Sequence, residues 1–263
     1  MGEDGGAAKM LDEGIEEERL PAAVVGLHVG ISTPGGQFSV KPGPMMAASD
    51  GFKIVVKGKQ THGARPWDGV DPVVVSSQIV VGLQTIASRQ VDVTLAPSII
   101  SVGRITGGVR YNVIPDDVTM EGTIRTFDPD MREYIHTAIE RTASLIAESA
   151  GAEVEVEIYQ GPPAVNNNAE LTSLVMPALE RASGKPVLSI QPQTVAEDFS
   201  EYGAVTPAVF VFLGNWPEEM DPSTQPTNHS PYFHMHEPYM ERGVKAYGHM
   251  VMDFLNSQGT AKE

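Results

Sequence analysis

Hydrophobic and polar positions change rhythm along this chain. A short helical stretch over about Ala7–Glu18 is followed by Ala22-Ala-Val-Val-Gly-Leu-His-Val29, an apolar run with one histidine inside it, the pattern of a buried strand. Lys41-Pro-Gly-Pro44 is a breaker cluster and a candidate domain boundary. From Asp50 the pattern becomes regular. Strands are predicted at Phe52–Gly58, Ser98–Ile105, Asp117–Phe127 and Glu153–Tyr159, the last alternating acid and apolar residues as a half-exposed strand does. Asp71-Pro72 and Asp128-Pro129 each supply an N-cap and a proline at the first helical position. The first predicted helix runs to about Arg89. The second shows an apolar face of Met131, Ile135, Ala138, Ile139, Leu145 and Ile146, with Gly151 where a C-cap belongs.

The order over about residues 50–160 is therefore β-α-β-β-α-β, the ferredoxin-like arrangement of one sheet with two helices on one face. After Gly161-Pro-Pro163 the character changes. A helix over about Ala169–Ala182 ends at Gly184, short apolar strands follow at Val187–Ile190 and Ala208–Leu213, and a long loop, Gly214–Phe233, leads to a helix over about Pro238–Leu255. The simplest organisation is an α+β module, residues 48–160, inserted into an α/β domain made of residues 1–47 and 161–263. That outer domain shows too few elements to cover a mixed, mostly parallel sheet, so the fold class is α/β with an incomplete outer domain and exposed apolar surface on it.

Composition narrows the chemistry. The 18 Lys plus Arg against 34 Asp plus Glu give a net charge of −16, which argues against nucleic acid or an anionic membrane as partner. With no cysteine, any metal must sit on histidine, carboxylate and water. No apolar run is long enough to span a membrane, and Met1–Met10 has neither the basic start nor the apolar centre of a signal peptide, so the cytoplasm is the expected compartment.

Seven histidines are present. His136 and His249 lie among ordinary helical residues and receive no role. His28, inside an apolar strand, reads first as a packed core residue, although the Gly- and Pro-rich segment after it opens that strand end toward a pocket rim. His62, in Lys59-Gln-Thr-His-Gly-Ala-Arg-Pro66, sits in a loop between strand and helix, as apt for work as for plain exposure. His229 precedes Ser-Pro. His234 and His236 share one side of an extended chain, a weak metal signal without a His-Glu-x-x-His helix. Glu197 and Asp198 form an acid pair that could ligate a metal, orient a ligand histidine or cap a helix.

Taken in order, Gly26-Leu-His-Val29, Thr61-His-Gly-Ala-Arg-Pro66, Asn112-Val-Ile-Pro115, Gly122-Thr-Ile-Arg125, Ala196-Glu-Asp-Phe199 and His229-Ser-Pro231 resemble the zinc aminoacylase–carboxypeptidase metallopeptidases. The nearest branch is the amidohydrolases that cleave hippurate, N-acyl amino acids and indole-acetyl amino acids. The resemblance covers nearly the whole chain. It implies a two-metal (zinc or manganese) catalytic domain interrupted by a ferredoxin-like lid that also forms a homodimer. It implies His28 and His229 as metal ligands, and His62 as a lid histidine that steadies the tetrahedral intermediate in the partner subunit's site. Asn112 and Arg125 would hold the substrate, an N-acyl amino acid or small peptide, with Arg125 suited to its carboxylate. Glu197 and Asp198 would lie beside the metals without binding them. His234 and His236 match no ligand of the family.

The same resemblance implies a further N-terminal segment carrying a His-x-Asp motif, a Cys or Asp with a nearby His, and a Glu-Glu pair that provides the general base. Gly5-Gly-Ala-Ala-Lys-Met10 looks like the helix that follows that pair, and Glu3-Asp4 stands too close to Met10 to be it. The chain is thus expected to be the C-terminal two-thirds of an amidohydrolase and inactive alone. The rival expectation is a non-catalytic dimerisation or ligand-binding fragment, and a third is a His28–His229 pair that binds metal weakly.

Overall fold

The computed structural model describes residues 6–14, 20–30, 32–217, 219–221 and 224–260. Glu3, Asp4 and the stretch 15–18 of the first predicted helix lie outside these. In chain order the elements are α1 (Gly6–Gly14), β1 (Val24–Gly30), β2 (Phe38–Ser39), β3 (Gly43–Met46), β4 (Ala48–Lys57), β5 (Thr61–His62), α2 (Pro72–Thr85), β6 (Ile99–Gly107), β7 (Val113–Ile114), β8 (Asp117–Thr126), α3 (Pro129–Ser149), β9 (Glu153–Tyr159), β10 (Val165–Asn167), α4 (Ala169–Ser183), α5 (Ser200–Val205), β11 (Ala208–Gly214) and α6 (Met240–Thr260). The chain divides into two compact units, one centred on Ala47–Ala164 and the other on Gly6–Met46, Val165–Gln193 and residues from Asp198 onward.

In the first unit β6, β8, β4 and β9 form, in that order, an antiparallel sheet. With α2 and α3 between its strands this is the ferredoxin-like order. Both helices start as the sequence predicts. The Asp71 carboxylate accepts the amides of Val73 and Val74, and the Asp128 carboxylate accepts that of Met131. Val75, Ile79 and Leu83 from α2 and Met131, Ile135 and Ile139 from α3 bury against Phe52, Ile54, Ile100, Met120 and Ile124. Gly122 is required by this packing: a Cβ there would stand 2.2 Å from the Phe52 ring and 2.3 Å from the Ser101 carbonyl oxygen. The other sheet face carries polar side chains, among them Lys57 paired with Glu155, and Arg104 with Glu121 at 3.1 Å. One expectation fails here. Leu145 is 58% exposed, because the buried row of α3 runs Ile135, Ile139, Ala143, Ala147 and slews away from it.

In the second unit the wholly buried β11 lies between β1, parallel to it, and β2, antiparallel to it. One face packs on α4 and α6 through Leu171, Val175, Leu179, Ala246 and Met250. The other buries Met45, Phe199, Phe210 and Phe212. The strand expected at Val187–Ile190 reduces to a single parallel bridge, Leu188 to Ser39, since β2 is too short to carry a ladder. Gly184 closes α4 in the left-handed conformation at φ 68°. Among the described residues no helix is long and apolar enough to cross a membrane.

Candidate active site

In the first unit, β5 and β7 pair His62 with Val113 and Thr61 with Ile114. The Gly63 amide donates to the Asn112 carbonyl at 2.9 Å, and a Cβ on Gly63 would press on that backbone at 3.1 Å. His62 and Asn112 thus belong to one small ribbon. The exposed His62 ring accepts the Ala64 amide at Nδ1, 3.0 Å away. A backbone amide can only donate, so the neutral ring carries its proton on Nε2 and keeps that N–H as a free donor. The Asn112 side-chain oxygen is buried and has no hydrogen-bond partner among the described residues.

Arg125 projects from β8, three residues beyond the Gly122 that admits Phe52. Its Nη1 donates to the Thr123 hydroxyl and to the Ile124 carbonyl. Burial holds its pKa below the usual arginine range, and the negative charge of Asp50 acts the other way. Arg65, Arg104, Arg132 and Arg181 each reach a carboxylate. Among the described residues Arg125 reaches none, which leaves a half-buried cation able to take an anionic group.

In the second unit, His28 lies near the end of β1 with its ring centroid 6.2 Å from that of Phe210 and 6.0 Å from that of Phe212. Its Nδ1 donates to the Val29 carbonyl at 3.0 Å, which leaves the Nε2 lone pair free, the form a metal-ligating imidazole takes. His229 is exposed on the loop before α6. Asp198 accepts the Ala7 amide at 3.0 Å, so its carboxylate serves the first turn of α1. Glu197, which precedes α5 in sequence, belongs to the first unit and is half-buried. His234 packs edge-on to Trp216 and His236 against Tyr239. The buried Asn215 fixes that segment, donating to the His234 carbonyl at 3.0 Å and accepting the His236 amide at 2.8 Å.

The donor chemistry of His28 fits a metal, but the set is short. Among the described residues no three His, Asp or Glu side chains converge where they could hold a metal ion.

Sequence reasoning gave His136 no role, and it overlooked Asp50 and Arg132. The Asp50 side chain is fully buried and accepts Arg132 Nε at 2.8 Å, a second Arg132 nitrogen, His136 Nε2 at 2.8 Å and the Gly161 amide at 3.1 Å. Burial alone would raise its pKa; these bonds and the Arg132 charge outweigh burial and bring it to about 2. The Arg132-to-His136 spacing of one helical turn was the available signal, but its target lies 82 positions away.

The family model described as Peptidase family M20/M25/M40 matches residues 1–253. The chain belongs to this peptidase family. The N-acetyl-L-cysteine deacetylase of Bacillus subtilis (strain 168) is 38% identical over 209 residues, covering 80% of this chain and 49% of that protein. A solved aminohydrolase structure from methicillin resistant Staphylococcus aureus superposes with a TM-score of 0.85 at 29% identity, over 95% of this chain and 63% of that one. The Bacillus subtilis YXEP protein, described as a dinuclear metal binding peptidase from the M20 family, gives 0.73 at 28%, over 95% and 61%. The chain therefore spans about half to two-thirds of the length of these relatives.

Proposed function

We propose that this chain is the substrate-holding and partly metal-ligating portion of an amidohydrolase that cleaves the amide bond of N-acyl amino acids or small peptides. The observation that carries this reading is Arg125, a half-buried guanidinium without a carboxylate partner among the described residues, in a chain whose relatives include a deacetylase of an N-acetyl amino acid. Arg125 binds the substrate carboxylate. Asn112, with its unpartnered buried oxygen, contributes to holding the acyl-amide group. His62 donates its Nε2 proton to the oxygen that becomes negative when the carbonyl is attacked.

His28 and His229 are the ligands this chain contributes to a pair of divalent metals, zinc or manganese. When bound, such metals supply an activated water. Glu197 and Asp198 orient groups beside them. The short ligand set favours completion by residues beyond those described here. Residues 48–160 act as a lid and homodimerise. The β6 edge, with exposed Ile99 and Ile105, and the exposed Val73, Val74 and Val81 of α2 support this. The same short ligand set favours a second reading, a non-catalytic dimerisation and ligand-binding chain.

The deciding experiment measures metal content and N-acyl amino acid hydrolysis on the purified chain, with and without added zinc or manganese. We expect weak metal uptake and no turnover until the remaining segment is supplied. Stoichiometric binding of two metals with turnover by this chain alone would overturn the incomplete-site reading. Absence of turnover after reconstitution with that segment would favour the second reading.

A further inference from the structure

We propose that Thr123 is a positioning residue that fixes which edge of the Arg125 guanidinium faces a ligand. The proposal rests on Arg125 as the carboxylate-binding residue and goes one step behind it. The single hydroxyl proton of Thr123 goes to the Asp50 backbone carbonyl at 3.0 Å. The same oxygen therefore meets Arg125 as an acceptor, and Arg125 Nη1 is the donor. The second hydrogen of Nη1 goes to the Ile124 carbonyl at 3.0 Å. Both Nη1 hydrogens are used, and among the described residues Nε and Nη2 have no partner.

The free pair is the side-on fork of the guanidinium. The same unit shows that fork at work, since Arg132 holds the Asp50 carboxylate with Nε and Nη2. Arg125 is thus arranged as a half-filled copy of that bidentate pair, its Nη1 anchored and its fork open. Thr123 is itself tied to β4 by the bond to Asp50, whose own carboxylate is locked by Arg132, His136 and Gly161. The Gly122-Thr-Ile-Arg125 stretch divides accordingly. Gly122 makes room for Phe52, Ile124 fills the core, and Thr123 orients Arg125.

The test uses the full chain and three forms of position 123: the native Thr, Thr123→Val and Thr123→Ser. Titration calorimetry compares N-benzoylglycine with its neutral carboxamide. Thr123→Val should weaken the acid about three- to tenfold, leave the carboxamide unchanged, and be reversed by Thr123→Ser. Equal loss for both ligands, or no loss for the acid, overturns the proposal. A second measurement needs no ligand. Phenylglyoxal labelling of Arg125, followed by peptide mass, should be at least about twofold faster in Thr123→Val because the guanidinium is released; an unchanged rate overturns the positioning role. Failure of the native chain to bind either ligand would count against the proposed function, and the labelling rates would still decide the role of Thr123.

Discussion

As neutral rings, His28 and His62 carry their protons on opposite nitrogens, each fixed by the backbone beside it. His28 Nδ1 donates to the Val29 carbonyl and His62 Nδ1 accepts the Ala64 amide, both at 3.0 Å. One ring thus offers a lone pair at Nε2 and the other a proton. A ligand needs the first and an oxyanion donor needs the second.

The role proposed for His62 gives the first prediction. In a preparation that hydrolyses N-acyl amino acids, His62→Ala should lower kcat about 10²–10³-fold with little change in KM, as loss of one oxyanion donor does. His62→Gln should recover part of the rate, because its amide N–H can still donate. Steady-state kinetics on all three forms checks this; a raised KM at unchanged kcat would assign His62 to ground-state binding instead.

The role proposed for His28 gives the second. His28→Phe keeps an aromatic ring against Phe210 and Phe212 but has no lone pair. It should leave the melting temperature within a few degrees of native, an allowance of about 1 kcal/mol, and abolish zinc binding seen by calorimetry. His229→Ala, on an exposed loop, should do the same to zinc with still less effect on melting. Unaltered zinc binding in both variants would remove this pair from the metal site.

Much of the first unit was legible because its signals are local. Asp71-Pro72 and Asp128-Pro129 act within one helical turn, and both carboxylates bond where they were expected to. The strand expected at Glu153–Tyr159 has the bounds of β9, and it exposes Glu153, Glu155 and Glu157 in alternation as far as Ile158. Leu145 misled because a fixed helical period ignores how a helix slews across a twisted sheet, where four-residue steps move the buried row about 40° each. Val187–Ile190 is apolar enough for a strand, but strand formation depends on a partner, and β2 offers two residues. The proposed site rests on motifs alone, and among the described residues no metal-holding group of three side chains gathers around them. The Asp50 cluster joins residues 82, 86 and 111 positions apart, and no local pattern announces it.

That cluster gives a third prediction, on stability. Asp50→Asn leaves Arg132, its side chain only 17% exposed, without its counter-charge and should cost about 3 kcal/mol in urea unfolding at pH 7. The pH dependence has a defined sign. The Asp50 pKa falls from 3.8 to about 2 on folding, so its contribution of about 2 kcal/mol is present above pH 4 and disappears as pH falls through 2. Asp50→Asn should flatten that part of the acid-unfolding profile. A variant as acid-sensitive as the native chain would show that other carboxylates govern acid unfolding.

The last prediction concerns self-association. β6 is an edge strand, and its Ile105 is 52% exposed; Val81 on α2 is 68% exposed. An apolar edge strand invites pairing with a second copy, and a charge on it opposes pairing without touching the core behind. If the chain pairs as proposed, Ile105→Asp should shift it from dimer to monomer at micromolar concentration in sedimentation equilibrium, with helix and sheet content unchanged by circular dichroism. Val81→Asp should act in the same direction if α2 shares the interface. Paired strands bury backbone as well as side chains, so the double variant should be no more monomeric than either single one when each alone is sufficient. A native chain that is monomeric at that concentration would remove the β6 edge as a dimer contact and leave its apolar residues to another partner.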